Sequence, residues 1–298
     1  MRVGIVTDNS SGFTEQEAKN LGVKMTYIPF LIDGEEYSED KNLTREIFYD
    51  KLNNSANFST SQPSQELVKS IWNEMLKDHD QIVYIPLSSG LSSTYQSSEF
   101  SRLEYNGTVE VVNNKRVSVT LKSSVYEAVE LAKQGKSALE IKQYLEEDSL
   151  NASIYIMVPT LKYLKKGGRV TAAAAAIGSL LNIKPVLQIQ GEKLDAYAKV
   201  LTIKQAKSKM INAIKKDIEA RFSNIPSDKT IAISIAHTCT NSEDFEIFKN
   251  EVIQEFNSAY PILFQDQLPL AIACHIGPNA LAIACNLIDK SVIETINN

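Results

Sequence analysis

The stretch Ile82–Ser98, "IVYIPLSSGLSSTYQSS", decides how the first half of the chain folds. Ile82–Leu87 is a continuous apolar run, of the length of a strand buried on both faces. Leu87–Ser98 then packs six serines, a threonine and a glycine into twelve residues. An apolar strand, a Ser/Gly-rich turn and the helix-forming "TYQSSEFSRL" make one strand–turn–helix unit. A helix N-terminus leaves backbone N–H groups unpaired at the positive end of its dipole. Hydroxyls placed there either cap the helix or join those N–H groups in holding an anion. Taken alone, a cap at Ser92 or Ser93 is the plainer reading.

The alternation extends to both sides. "VGIVTD" (Val3–Asp8) is a short apolar run ending in a carboxylate, and "TEQEAKNLG" has helix composition with a glycine stop. "VKMTYIPFLI" reads as a second strand. "SQELVKSIWNEMLK" puts Leu67, Val68, Ile71, Trp72, Met75 and Leu76 on one helical face. "TVEVVN", two helical segments and the strand "SIYIMV" complete an α/β domain over residues 1–158, Rossmann-like, with a parallel sheet. From Pro159 the texture changes. "TLKYLKKGGRV" and "TAAAAAIGSLLN" read as helices split by a Gly-Gly break, and "IKPVLQIQGEKLDAYAKV" as a hairpin turning at Gly191. A long helix from Ile203 to about Phe222, the strand "TIAISIAH" and the helix "SEDFEIFKNEVIQEF" follow. "PLAIACHIGPNALAIACNLI" closes the chain as two apolar runs around a Gly-Pro turn, giving a second α/β domain over 159–298.

Composition narrows the function. In 298 residues the apolar share is 43% and the charged share 22%, which is globular rather than disordered. A net charge of -5 with no Lys/Arg-dense run argues against a nucleic-acid partner, which needs a basic face. No signal-peptide core or membrane span is legible, so a cytoplasmic protein is expected, with transient contact with a membrane left open. Cys239, Cys274 and Cys285 are odd in number and form no C-x-x-C pair, so reduced thiols are expected and no metal site.

Two other loops resemble the serine turn. "TSQPS" places Thr60 and Ser61 before a Pro-initiated helix, and "TDNSS" puts Asp8, Ser10 and Ser11 at a strand end. In a doubly wound sheet such ends converge on one crevice. Neither G-x-G-x-x-G nor G-x-x-x-x-G-K occurs, which disfavours the usual nucleotide sites. No G-x-S-x-G elbow supports a hydrolase nucleophile, for which Ser89 would be the forced choice. In the second half, "LKKGGRVT" sets Lys165, Lys166 and Arg169 around a double glycine, either a capped helix end or a ligand loop. "HIGPN" puts His275 at a strand end before a tight turn; His237 ends another apolar strand, and His79 reads as surface. A lone histidine is structural more often than functional. Neutral donors, one arginine, one histidine and an alanine-rich helix suit capture of an acid head group with an apolar tail.

These motifs resemble those of the DegV family, which includes the fatty-acid-binding (FakB-type) subunits of bacterial fatty-acid kinase. The resemblance rests on "IVTDNSSGFT", "YIPFLIDGEEY", "TSQPS", "IPLSSGLSSTYQSS", "LKYLKKGGRVTAAAAAIGSLLNIKPVLQIQGEKL" and "HIGPNAL", in family order across nearly the whole chain. It implies a two-domain α/β protein with a long-chain fatty acid in a tunnel between the domains. Thr60, Ser92 and His275 fall on the carboxylate-contacting positions, and Arg169 is the arginine near the head group. Ser61 and Ser93 are further head-group candidates; Ala173, Ala176, Ile177 and Leu180 are the candidates for the tunnel wall. The resemblance also implies a carrier without catalysis or cofactor of its own, which presents the acid to a separate ATP-dependent kinase subunit for acyl-phosphate formation. The chain departs from the family pattern at Ser93 (usually Gly), Ser98 (Ala), Asn279 (Gly), Cys274 (Thr) and in "VVNNKRVSV", which has Asn113 and Asn114 for an Asp-Ser pair. Asn279 still tolerates a left-handed backbone. The competing readings are a small-molecule hydrolase or transferase using Asp8, Ser92 and His275, and a pure interaction protein with neither ligand nor turnover.

Overall fold

The computed structural model describes residues 1–54, 57–177, 183–191 and 193–297. Contacts between Cα atoms divide the chain into two units: Met1–Leu150 with Pro269–Ala271, and Asn151–Leu268 with Ile272–Asn298.

The first unit contains β1 (Val3–Asp8), β2 (Lys24–Thr26), β3 (Phe30–Ile32), β4 (Glu35–Tyr37), β5 (Phe58–Thr60), β6 (Gln81–Ile85) and β7 (Val109–Val111). Four of them form a parallel sheet in the order β2-β1-β6-β7. Parallel neighbours need crossovers, and helices Glu15–Leu21 and Thr94–Ser101 supply two of them. Ile5, Val83 and Ile85 face one apolar cluster with Leu121, Val125 and Ile141. Val6, Ile82, Tyr84 and Val109 face the other, with Val68 and Trp72. Burial on both faces is why the strand of the opening stretch is apolar at successive positions.

"VKMTYIPFLI" is not one strand but two, β2 in the parallel sheet and β3 in an antiparallel sheet of order β4-β3-β5. Pro29 has no N–H for a ladder, and the Ile28 N–H is taken at 2.9 Å by Asn9 Oδ1, so pairing is interrupted there. Asn9 Nδ2 donates to Glu39, whose other carboxylate oxygen accepts the Leu270 N–H at 3.3 Å; this bond holds segment 269–271 on the first unit.

The second unit holds β8 (Ala152–Met157), β9 (Lys184–Ile189), β10 (Asp195–Val200), β11 (Lys229–His237), β12 (Ile262–Gln267) and β13 (Leu281–Asp289). They form one sheet, β10-β9-β8-β13-β11-β12, antiparallel except at β11–β12. Helices Ile203–Arg221 and Ser242–Phe256 cover it through Met210, Ile214, Phe245, Phe248 and Val252. β8, expected at the end of the first domain, hydrogen-bonds to β9 and β13 here, so the first unit ends at Leu150 rather than 158. The hairpin around Gly191 forms as β9 and β10, with Gly191 at φ +114°. The Gly-Gly break is also present: helix Lys162–Gly167 stops at Gly168 in the left-handed conformation, and helix Ala172–Ile177 follows. The rest of the expected alanine helix, Leu180 included, lies outside the described residues.

Ser98 is fully buried in helix Thr94–Ser101, and its Oγ has no hydrogen-bond partner. A buried hydroxyl left unpaired costs about 1–3 kcal/mol. Ser98→Ala is therefore expected to raise the unfolding free energy by about 1 kcal/mol, read as a higher urea midpoint at unchanged slope. A lower midpoint would show that the hydroxyl is satisfied.

Candidate functional site

In the first unit the polar loops meet at the carboxyl ends of β1 and β6, neighbours in the sheet. Such a place, where chain order reverses across a parallel sheet, is where ligands bind in doubly wound folds. Here the position is occupied by the chain's own anion. The Asp8 carboxylate, with no solvent exposure, accepts the Ser10 N–H at 3.0 Å, the Leu87 N–H at 2.8 Å and the Ser10 hydroxyl. Burial raises its pKa, and these three donors oppose that shift. Donors that would cradle a phosphate are thus spent on an internal carboxylate, which accords with the missing Gly-rich loop.

From Leu87 the chain enters the serine turn. Ser88 is buried; its carbonyl accepts the N–H groups of Leu91 (2.9 Å) and Ser92 (3.1 Å). Ser92 Oγ lies 2.8 Å from Thr94 Oγ1 and accepts the Thr94 N–H at 3.2 Å. Ser93 stands at the cap position of helix Thr94–Ser101 and makes no side-chain cap; its hydroxyl donates to Gln62 Oε1 at 3.2 Å. Ser97 Oγ donates to the same oxygen at 2.8 Å. "TSQPS" and "SSTYQS", far apart in sequence, are therefore joined through Gln62, a residue that sequence reasoning quoted without assigning. Thr60 closes β5 half-buried opposite Phe30, and Ser61 is exposed with its N–H on the Pro29 carbonyl at 3.1 Å. Ser64, not Thr60 or Ser61, caps the following helix, accepting the Leu67 N–H at 3.2 Å.

In the second unit the "KKGGR" and "HIGPN" motifs interlock. His275 ends helix Leu270–Ile276, not a strand as expected; Ala271 and Ala273 favour the helix. A Cβ on Gly167 would stand 2.3 Å from His275 Nδ1, and one on Gly277 would stand 2.2 Å from the Tyr163 ring. Each motif thus offers a bare glycine to a ring of the other. The turn after His275 is held by Thr238, whose Oγ1 donates to the Gly277 carbonyl at 2.7 Å and accepts the Ala280 N–H at 2.9 Å. Asn279 takes φ +62°, as its tolerance of that region allows, and its Oδ1 accepts both the N–H and the hydroxyl of Thr240 at 3.2 Å. A glycine could take that φ but not those bonds. Thr238 and Tyr163 carried no signal in sequence, because their roles exist only once the motifs have met.

Burial first, and the Arg169 guanidinium second, push the His275 pKa down to about 4, so it is a neutral imidazole at pH 7. Arg169 also donates to the Gly167 carbonyl. The charge bearing on His275 is a cation that depresses its basicity, the reverse of what an orienting carboxylate does in a catalytic triad. Cys274 is pushed up to about 12 and Cys239 to about 11, chiefly by burial, so neither is a thiolate nucleophile. His237 stacks on Phe245 and takes the Cys239 N–H at 3.0 Å, a structural role. His79, expected at the surface, is half-buried, with Nδ1 3.0 Å from the Met75 carbonyl. Ala173 and Ala176 are exposed in helix Ala172–Ile177. Among the described residues, no His/Cys/Asp/Glu group is placed to hold a metal, and no helix is long and apolar enough to cross a membrane.

The chain is thus of a two-unit α/β class, a unit with a parallel four-stranded sheet followed by one with a mixed six-stranded sheet. Residues 2–286 match the family described as "Uncharacterised protein, DegV family", and the chain belongs to that family. A DegV domain-containing protein of Clostridium perfringens is 31% identical over 289 residues, 94% of this chain and 95% of that protein. Two solved structures are similar throughout. A fatty-acid-binding DegV-family protein of Thermus thermophilus has 28% identity and a TM-score of 0.84, over 96% of this chain and 99% of its own. A fatty-acid-binding DegV-family protein of Streptococcus agalactiae has 27% identity and a TM-score of 0.82, with the same coverage.

The low His275 pKa sets a pH dependence. The unfolded imidazole, at its ordinary 6.5, takes up a proton that the folded one refuses until about 4. Stability from this group is therefore complete above pH 6.5 and lost as pH falls from 6.5 toward 4, by at most about 1.4 kcal/mol per pH unit. Denaturant titrations at pH 7.5, 6.0 and 5.0 should show a shallower loss in His275→Gln than in wild type; parallel losses would place the histidine in solvent.

Proposed function

We propose that this protein is a carrier for one long-chain fatty acid, without catalysis or cofactor of its own. The observation that carries the reading is likeness over 96% of the chain to structures of fatty-acid-binding relatives. Thr60 and Ser92, with Ser61 and Ser93 as further candidates, are the proposed carboxylate-binding residues of the first unit, and Arg169 and His275 are those of the second. The division of labour follows from the chemistry of those groups. Arg169 supplies the countercharge, while the neutral imidazole and the hydroxyls supply hydrogen bonds without adding a second buried charge. Ala173 and Ala176, exposed on helix Ala172–Ile177, are the proposed contacts of the acyl chain there; Ile177 belongs to the same helix, and Leu180 lies outside the described residues. Burying roughly fourteen methylenes at about 0.8 kcal/mol each contributes on the order of 11 kcal/mol before the costs of ordering. That is ample for tight retention.

The finer reading is of a FakB-type subunit in the cytoplasm that presents the carboxylate to a separate ATP-dependent kinase, whose γ-phosphoryl group the carboxylate oxygen takes to give acyl phosphate and ADP. The self-occupied anion position at Asp8 supports it, since the phosphoryl donor then belongs on another protein.

Native mass spectrometry of protein purified from a bacterial host should show one bound C16–C18 acid per chain. Arg169→Ala should weaken palmitate binding by a factor of ten or more, the loss of about 1.5–3 kcal/mol typical of a hydrogen bond to a charged group. Protein that carries no acid and takes up neither added palmitate nor oleate would overturn the proposal.

A further inference from the structure

The loop between β7 and helix Val119–Lys133 carries Asn113 and Asn114 and two residues with positive φ. Lys115 and Ser118, neither of them glycine, both take φ +54°, and Ser118 combines it with ψ −132°, outside the left-handed well. Backbone of this kind persists only where its surroundings fix it, and it gathers at functional sites. What fixes it here is Arg116, whose side chain is 2% exposed. Its Nη2 donates to the Asp148 carbonyl at 2.7 Å and carboxylate at 2.5 Å. Its Nη1 donates to Ser124 Oγ at 3.0 Å and stands 3.5 Å from the Glu127 carboxylate, itself fully buried. The Arg116 N–H is taken by Asn114 Oδ1 at 3.1 Å, so Asn114 helps to shape the loop.

The locked loop spends its backbone on the two polar turns of the first sheet. The Ser118 N–H donates to the Ser10 carbonyl at 3.0 Å, and the Arg116 carbonyl accepts the Ser88 N–H at 3.1 Å. Ser88 is in turn the base on which Leu91 and Ser92 hang by their own N–H groups. We infer that Arg116 is a positioning residue for the head-group serine: its guanidinium fixes the 113–118 loop, and the loop's Arg116 carbonyl fixes Ser88 and so the place of Ser92. The inference rests on the role proposed for Ser92 in holding a carboxylate. Its rival is an ion network that stabilises the first unit without bearing on the ligand.

Arg116→Lys keeps the cation and loses the planar fork. The test compares palmitate affinity in wild type, Arg116→Lys, Ser92→Ala and the double variant of the full chain, with amide hydrogen exchange of the same proteins. Arg116→Lys should weaken palmitate about tenfold in the wild-type background and less than twofold on top of Ser92→Ala. Exchange at Ser88 and Ser92 should quicken at least tenfold while β11 and β13 keep their protection. Additive losses of affinity, or unaltered exchange at Ser88 and Ser92, would overturn the inference. Should Arg116→Lys fail to fold, Asp148→Asn removes one partner of the fork and is carried through the same cycle with the same expectations. If wild type itself takes up no palmitate, the carrier reading falls, and the exchange measurement alone decides: unchanged rates at Ser88 overturn the role of Arg116 as well.

Discussion

A carboxylate buried with its own three donors, Asp8, is the constraint on which the carboxyl edge of the first sheet depends. It joins the end of β1 to Leu87, the second residue after β6, and the loops that carry Ser10, Ser11, Ser88 and Ser92 leave from those two points. Removing a charged group from water is costly, and the cost is met only where donors are already aimed at it. The Ser10 and Leu87 N–H groups are so aimed because the backbone turns there. The same geometry that in other α/β folds receives a phosphate is closed here by the chain itself.

The second unit solves the equivalent problem by shape. Gly167 and Gly277 are places where a side chain would collide with His275 and with Tyr163, and each glycine lies in the motif opposite to the ring it receives. This mutual fit, with the Thr238 clamp behind it, sets the neutral imidazole beside the Arg169 guanidinium.

Much of this was legible in the residues. Loops that demand particular amino acids announced themselves: the serine turn, the double glycine, the Gly-Pro turn after His275. The hairpin at Gly191 and the alternation of strands and helices were equally open to inspection. The errors have physical causes. β8 is apolar on both faces, and nothing in such a run says which sheet will bury it, so its place in the second unit could not be read. "PLAIACHI" is too short for its period to separate a helix from a strand. Gln62 and Thr238 act through partners 31 or more residues away, and Arg116 reaches Asp148, 32 residues on, as well as Ser124 and Glu127 of the following helix; no local pattern encodes such pairings.

The central claim is that the head-group residues read a carboxylate and not merely an alkyl chain. Calorimetric titration of delipidated protein with palmitate and with methyl palmitate, equal in tail and differing in charge, tests it directly. The acid should bind at least tenfold more tightly than the ester; equal affinity for both would show that only the tail is read.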